Sequence, residues 1–174
     1  MKVRLDREFF ERDVLEVARG LPGKFLVRKY PDGRIENFMI TEVEAYRGEE
    51  DMACHASKGR TPRNQIMYEP GGLLYIYLIY GIHWMLNIVT GKAGQPQAVL
   101  IRGLEGVNGP GRLTRRLDID RAFLGEDLCR SESIWLTEGV NSFEIKTAPR
   151  IGIDYAGEYW KNVPWRFFVE KTSG

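Results

Sequence analysis

The sequence predicts a mixed α+β fold organised around antiparallel strands. Two hairpin patterns carry that prediction. The first runs over Phe25–Tyr30, turns at Pro31-Asp32-Gly33 and returns over Arg34–Tyr46. The second fills Leu73–Thr90, a stretch rich in aromatic and β-branched side chains with Gly81 as its turn signal. No repeat, low-complexity linker or domain boundary interrupts the 174 residues, so one domain over residues 1–174, with one sizeable core, is expected.

Composition narrows the function classes. The hydrophobic fraction of 43% and charged fraction of 28% are those of an ordinary globular protein. No apolar run is long enough to cross a membrane and the N-terminus lacks a signal-peptide core. A non-secreted protein without a membrane partner is expected, cytoplasmic in a prokaryote or nuclear in a eukaryote. Cys54 and Cys129 are too few for a disulfide framework or a zinc site, and with His55 and His83 as the only histidines metal catalysis is unpromising. At a net charge of +1, nucleic-acid affinity must come from local clustering.

Along the chain, Asp6 is placed to cap a helix running to about Arg19, with Phe10, Val14, Val17 and Leu21 on one side and Gly20 and Pro22 stopping it. On the returning strand of the first hairpin, Phe38, Ile40, Glu42, Glu44 and Tyr46 share one face at period two. Met39, Thr41, Val43 and Ala45 share the other. Two carboxylates thus continue an apolar face, which is costly unless their charge is used. An edge strand whose far end runs into water gives the same pattern.

From Arg47 to Gly72 the pattern breaks. Lys58, Arg60 and Arg63 sit among small and turn-forming residues, which suits phosphate contacts and equally a solvated loop. In the second hairpin Tyr75 and Tyr77 share a face and Tyr80 falls at or near the tip. An exposed aromatic there buries nothing in its own fold but can be pushed into another molecule; a core strand with tyrosines at its rim is the plainer alternative. Gln97–Arg102 is a buried-strand pattern ending in an arginine that needs an acidic partner, with Glu42 and Glu44 as candidates.

Gly109-Pro-Gly opens a helix to Leu117 that carries Arg112, Arg115 and Arg116, suited to a phosphate or to solvent. Asp118–Ser133 is mostly helix and loop. Ile134–Thr137, Phe143–Lys146 and Trp165–Val169 read as strands and Ala156–Trp160 as a helical turn, while Gly152 allows backbone to approach a ligand.

The series Thr41-Glu-Val-Glu-Ala-Tyr46, His55, Arg60-Thr-Pro-Arg-Asn64, Tyr75-Ile-Tyr-Leu-Ile-Tyr-Gly81, Asn87, Leu100-Ile-Arg102, Gly109-Pro-Gly111 and Arg150-Ile-Gly152 resembles the alkyladenine (3-methyladenine) DNA glycosylases. The resemblance runs in order over nearly the whole chain. It implies a compact α+β domain around a curved, largely antiparallel sheet with flanking helices, similar to the C-terminal domain of methionyl-tRNA formyltransferases. It also implies a monomeric, monofunctional base-excision-repair enzyme with no cofactor, which uses water to cut the N-glycosidic bond of alkylated or deaminated purines in double-stranded DNA.

By the same resemblance Glu44 is the general base, and Arg102 helps hold the water and keeps Glu44 ionised. Tyr46, His55 and Tyr77 wall the flipped base, with the His55 N–H donating to its edge. Asn87 excludes the guanine amino group, a backbone carbonyl near Ile151 completes the water site, and Tyr80 intercalates. Arg60, Arg63, Arg112 and Arg115 are the DNA-backbone candidates. Val43 and Ile82 depart from the threonine and methionine of many relatives, at positions expected to pack away from the chemistry. No acid for neutral leaving bases stands out.

Two other readings remain on the residues alone: a module that binds damaged DNA or structured RNA without cutting, and a sugar hydrolase pairing Glu42 with Glu44. Phosphate contacts separate the DNA readings from the last. Binding to duplex DNA is expected to weaken steeply with salt, log K falling linearly with log[salt] at about −0.9 per phosphate neutralised. A flat response in a salt titration would count against them.

Overall fold

The structure, a computed structural model, describes residues 2–170. Nine strands form one sheet: β1 (Phe25–Lys29), β2 (Ile35–Arg47), β3 (Leu74–Ile79), β4 (His83–Thr90), β5 (Gln97–Leu104), β6 (Val107–Asn108), β7 (Ile134–Thr137), β8 (Ile145–Ala148) and β9 (Arg166–Val169). The order is β3-β4-β5-β2-β1-β7, with β6 on β5, β9 on β2 and β8 on β9. Every pairing is antiparallel, as the hairpin patterns predict. Four short helices flank it: α1 (Arg7–Phe10), α2 (Val14–Gly20), α3 (Pro110–Arg116) and α4 (Glu158–Asn162).

The first helix departs from expectation by breaking in two. Asp6 caps α1, accepting from the Phe9 N–H at 3.2 Å. Asp13 leaves the helical conformation and caps α2, accepting from the Leu15 N–H at 2.9 Å. An aspartate gains more as a cap than inside a helix. The predicted inward side survives the break, since Phe10, Val14, Val17 and Leu21 are all fully buried. A second departure is β8, which forms two residues later than Phe143–Lys146 because its register is set by β9, Ile145 to Val169 and Ala148 to Arg166.

The third departure bears on the site. β2 is thirteen residues long and changes partners midway. It pairs with β1 up to Met39, then lies between β5 and β9. At the change the β2–β5 register is irregular around Thr41–Glu42, and inward and outward positions exchange. Phe38 and Ile40 enter the main core before the irregularity, Val43 and Ala45 after it. Leu104, then Ile101 and Val99, do the same on β5. Glu42, Glu44 and Tyr46 therefore do not continue the face of Phe38 and Ile40. They lie on the opposite face, as a bulge that re-aims side chains allows.

Gly103 sits at this crossing, where an added Cβ would lie 2.8 Å from Thr41 Oγ1 and 3.3 Å from the Glu42 Cβ. Gly103→Val is expected to destabilise the fold by about 1–3 kcal/mol through overpacking. Denaturant unfolding checks it, and unchanged stability would mean that the strands cross without close contact.

Candidate active site

Glu44 has no exposed surface. Its Oε2 accepts from the Ile151 N–H at 2.6 Å and its Oε1 from the Tyr46 hydroxyl at 2.9 Å. Arg102 stands with a guanidinium nitrogen 3.7 Å from Oε1, while its Nε donates to Glu42 Oε1 at 3.1 Å. Glu42 is also 3.5 Å from Arg166. Both carboxylates are thus partners of Arg102, and Glu42 is the hydrogen-bonded one.

Burial is the largest influence on Glu44 and pushes its carboxyl above the usual range. Arg102, the Ile151 N–H, the Tyr46 hydroxyl and Arg150 pull the other way and are outweighed. The expectation that Arg102 lowers the pKa holds for its direction and fails for the sum. Ile151 enters the site by its N–H, directed at Glu44, whereas the sequence reading invoked a backbone carbonyl there.

Tyr46, the hydrogen-bond partner of this carboxylate, also lines an aromatic recess together with His55, Tyr75, Tyr77, Asn87 and Tyr155. The His55 and Tyr77 rings are 4.5 Å apart, and His55 Nδ1 lies 2.8 Å from the Tyr75 hydroxyl. Burial, helped by Arg63, brings the His55 pKa down to about 4, so its ring is neutral at pH 7. Tyr75 is held up at about 12 by burial. Asn87 is buried on β4 and donates from Nδ2 to the Tyr75 carbonyl at 3.2 Å. Buried Asn64 holds the loop that carries His55, donating to the carbonyls of His55 at 3.2 Å and Gly59 at 2.9 Å.

Tyr80 is not part of this recess. It sits at the tip of the β3–β4 hairpin, 88% exposed, beside the exposed Ile82. Tyr80 and Gly81 both have positive φ, 52° and 67°, as a type I′ turn requires. A tyrosine in the left-handed region is uncommon and strained, which marks a place where function is worth seeking.

The basic candidates divide. Arg112 and Arg115 are exposed on α3, whose Gly111 approaches His83 so closely that a Cβ would lie 2.8 Å from its Nδ1. That contact sets α3 beside the hairpin. Arg116 is instead paired with Glu36 and hydrogen-bonded to Tyr30. Arg60 and Arg63 are exposed on the loop after His55, over the Tyr68 and Tyr77 rings. Among the described residues no group of three or more His, Cys, Asp or Glu side chains is placed to hold a metal ion, and no helix is long and apolar enough to cross a membrane.

The sequence reading missed a buried ion pair behind the recess. Arg150 donates to both oxygens of Asp51, at 2.6 and 2.9 Å, and neither side chain is exposed. Asp51 hides in a charged run that reads as solvated, and Arg150 follows a proline in an apparent loop; no local period marks either. Tyr155 was missed too. Its hydroxyl donates to the Ala53 carbonyl at 3.2 Å across the edge of the recess.

A profile of the methylpurine-DNA glycosylase family matches residues 8–108 and 105–173. A protein of Methanocella arvoryzae is 45% identical, covering 97% of this chain and 93% of its own length. One of Desulfitobacterium hafniense is 44% identical over 97% and 96%, and one of Borreliella afzelii 45% over 95% and 96%. All three bear the name "Putative 3-methyladenine DNA glycosylase".

The burial of Glu44 has a consequence for stability. Because its pKa is raised on folding, its contribution is fully present below the unfolded carboxyl pKa of about 4.3 and is lost as pH rises through the folded value. The neutral isostere Glu44→Gln escapes that loss. It is expected to melt above wild type at pH 7 and level with it near pH 4. Equal differences at both pH values in calorimetry would refute the burial argument.

Proposed function

The chain belongs to the methylpurine-DNA glycosylase family, and from that membership we propose that it flips a damaged purine out of duplex DNA and hydrolyses its N-glycosidic bond with a water activated by Glu44. The observation that carries the reading is a fully buried carboxylate, held by a backbone N–H, behind an aromatic recess of purine-binding character.

A purine inside the helix is out of reach, and extruding its nucleotide costs a few kcal/mol of stacking. Tyr80 fills the vacated space from the minor groove, its exposed ring already held out by the hairpin. Arg60, Arg63, Arg112 and Arg115 hold the phosphates. The base stacks between Tyr46 and the Tyr77–His55 wall, a contact worth about 1–3 kcal/mol. Electron-poor rings are favoured there, N-methylpurines carrying positive charge above all. The His55 N–H, at the start of its helical turn, meets the base edge. Asn87 obstructs a 2-amino group, which admits adenine-like bases and hypoxanthine and disfavours guanine.

Cleavage leaves positive charge on the sugar. Glu44 takes a proton from water, the hydroxyl oxygen bonds to C1′, and the base departs with the glycosidic electron pair. A cationic alkylpurine leaves neutral; hypoxanthine or ethenoadenine needs a proton first. A pKa raised above the usual carboxylate range brings Glu44 closer to working pH, where a general base is most effective. The charge of Glu42 is balanced by Arg102 and Arg166, which disfavours it as the protonated acid that a paired-carboxylate sugar hydrolase needs.

The test uses duplexes holding a single hypoxanthine, a single ethenoadenine or only normal bases, with heavily methylated DNA alongside. Abasic sites are read as strand breaks after hot alkali. Wild type is expected to release damaged bases, and Glu44→Gln to lose at least about 100-fold in rate while still binding the lesion duplex. No release from any substrate, with lesion binding intact, would replace this reading with a binding module.

A further inference from the structure

We propose that the buried Asp51–Arg150 pair is a positioning device for the reaction. It fixes the Ile151 N–H on Glu44 and the Tyr46 ring at the wall of the recess from a single point. The inference rests on the glycosylase reading and adds to it two residues that touch neither base nor water.

The geometry concentrates on this pair. Besides its two bonds to Asp51, Arg150 donates to the Ala45 carbonyl at 2.9 Å. Asp51 accepts from the N–H of Arg47 and of Ala53, both at 3.0 Å. Ala45 and Arg47 flank Tyr46, so the pair grips β2 on either side of the residue that hydrogen-bonds Glu44. The guanidinium also lies over the Tyr46 ring, 4.9 Å from its centroid, and over Trp165 at 5.1 Å. Ile151 follows Arg150 directly, so its N–H, 2.6 Å from Glu44 Oε2, is placed by the same anchor. Ala53 begins the segment that leads to His55.

Stability alone does not account for such a pair. Removing two charges from water costs several kcal/mol per ion, and apolar replacements of similar volume are often neutral or stabilising. Arg150 Nε is moreover buried without a partner. What a fork of two N–H groups supplies is direction, which neither lysine nor an apolar side chain supplies.

That difference makes the test. The double variant Asp51→Leu/Arg150→Met removes both charges and the fork; Arg150→Lys keeps the charge and removes the geometry. Melting temperature and single-turnover release of hypoxanthine against pH would be measured for both and for wild type. The double variant leaves the Arg47 and Ala53 N–H groups and the Ala45 carbonyl without these partners, so it is expected to melt below wild type and, in the folded protein, to release base roughly 100-fold more slowly, the cost of a misplacement of about 1 Å.

Its acid limb is expected to move to higher pH, because the Ile151 N–H and Arg150 both hold the Glu44 pKa down. Arg102, Arg166, Glu42, Tyr46, Tyr77 and Tyr155, the other charged or titratable groups on that side, remain. Arg150→Lys is expected to be slow as well, and it decides the matter if the double variant does not fold. A folded variant of either kind with wild-type rate and pH profile would overturn the inference alone. A wild type that releases no base from any substrate would overturn the glycosylase reading, and the inference with it.

Discussion

A carboxylate with no exposed surface must be compensated by its surroundings, and for Glu44 those surroundings come from three separate parts of the chain. Tyr46 lies two residues on in the same strand, Arg102 in the neighbouring strand, Ile151 in a coil over a hundred residues later, and Arg150 just before it. The rest of the structure follows from bringing these together without water. β2 has to be a central strand to carry core residues and site residues at once, and the irregularity at Thr41–Glu42 lets it do both. Val43 and Ala45 fill the core while Tyr46 lines the recess and holds Glu44. The compensation is incomplete, and the residual cost appears as a raised carboxyl pKa. A group that is expensive for the fold is the expected signature of a site held ready for chemistry.

The opposite strategy operates at the β3–β4 hairpin. There the exposed group is apolar, and the backbone at Tyr80 is in a conformation that tyrosine seldom adopts. Strand pairing from Leu74–Ile88 to Ile79–His83 supports the tip, and Thr114 of α3 ties to the Trp84 carbonyl at 2.9 Å. The backbone of the tip is thus held by paired strands and by α3. On the proposed reading, a backbone already fixed at the tip is what a wedge needs, since a flexible loop would lose entropy on insertion that a paired hairpin has already given up.

Much of this was legible in the sequence, and the failures have physical reasons. Both hairpins, the tip position of Tyr80 and the inward side of the first helices follow from period and turn chemistry. Period counting could not see the exchange of faces in β2, because a bulge is set by the partner strand and by Gly103 opposite it. The break at Asp13 was readable as a second cap, and a continuous apolar side masked it. Asp51 and Arg150 were not readable from local pattern. Ninety-nine residues separate them, and only the fold reveals that two charges resembling surface residues have no surface. Arg116 is the reverse case, a member of a basic cluster whose charge is already committed to Glu36.

The electrostatics of the recess also bear on which bases the proposed chemistry favours. His55 titrates near 4 and is neutral under ordinary conditions, Tyr75 near 12, and the Tyr46 hydroxyl is spent on Glu44. The recess therefore presents π-faces and neutral dipoles around a carboxylate at its rear. Such a site gains most from a base that arrives with its own positive charge, which stacks well and leaves without help. A neutral lesion must find its proton elsewhere, through water or a weak neutral donor. The same desolvation that raises the Glu44 carboxyl denies the recess a protonated histidine, so on the proposed chemistry a preference for charged purines would follow from the burial on which the site is built.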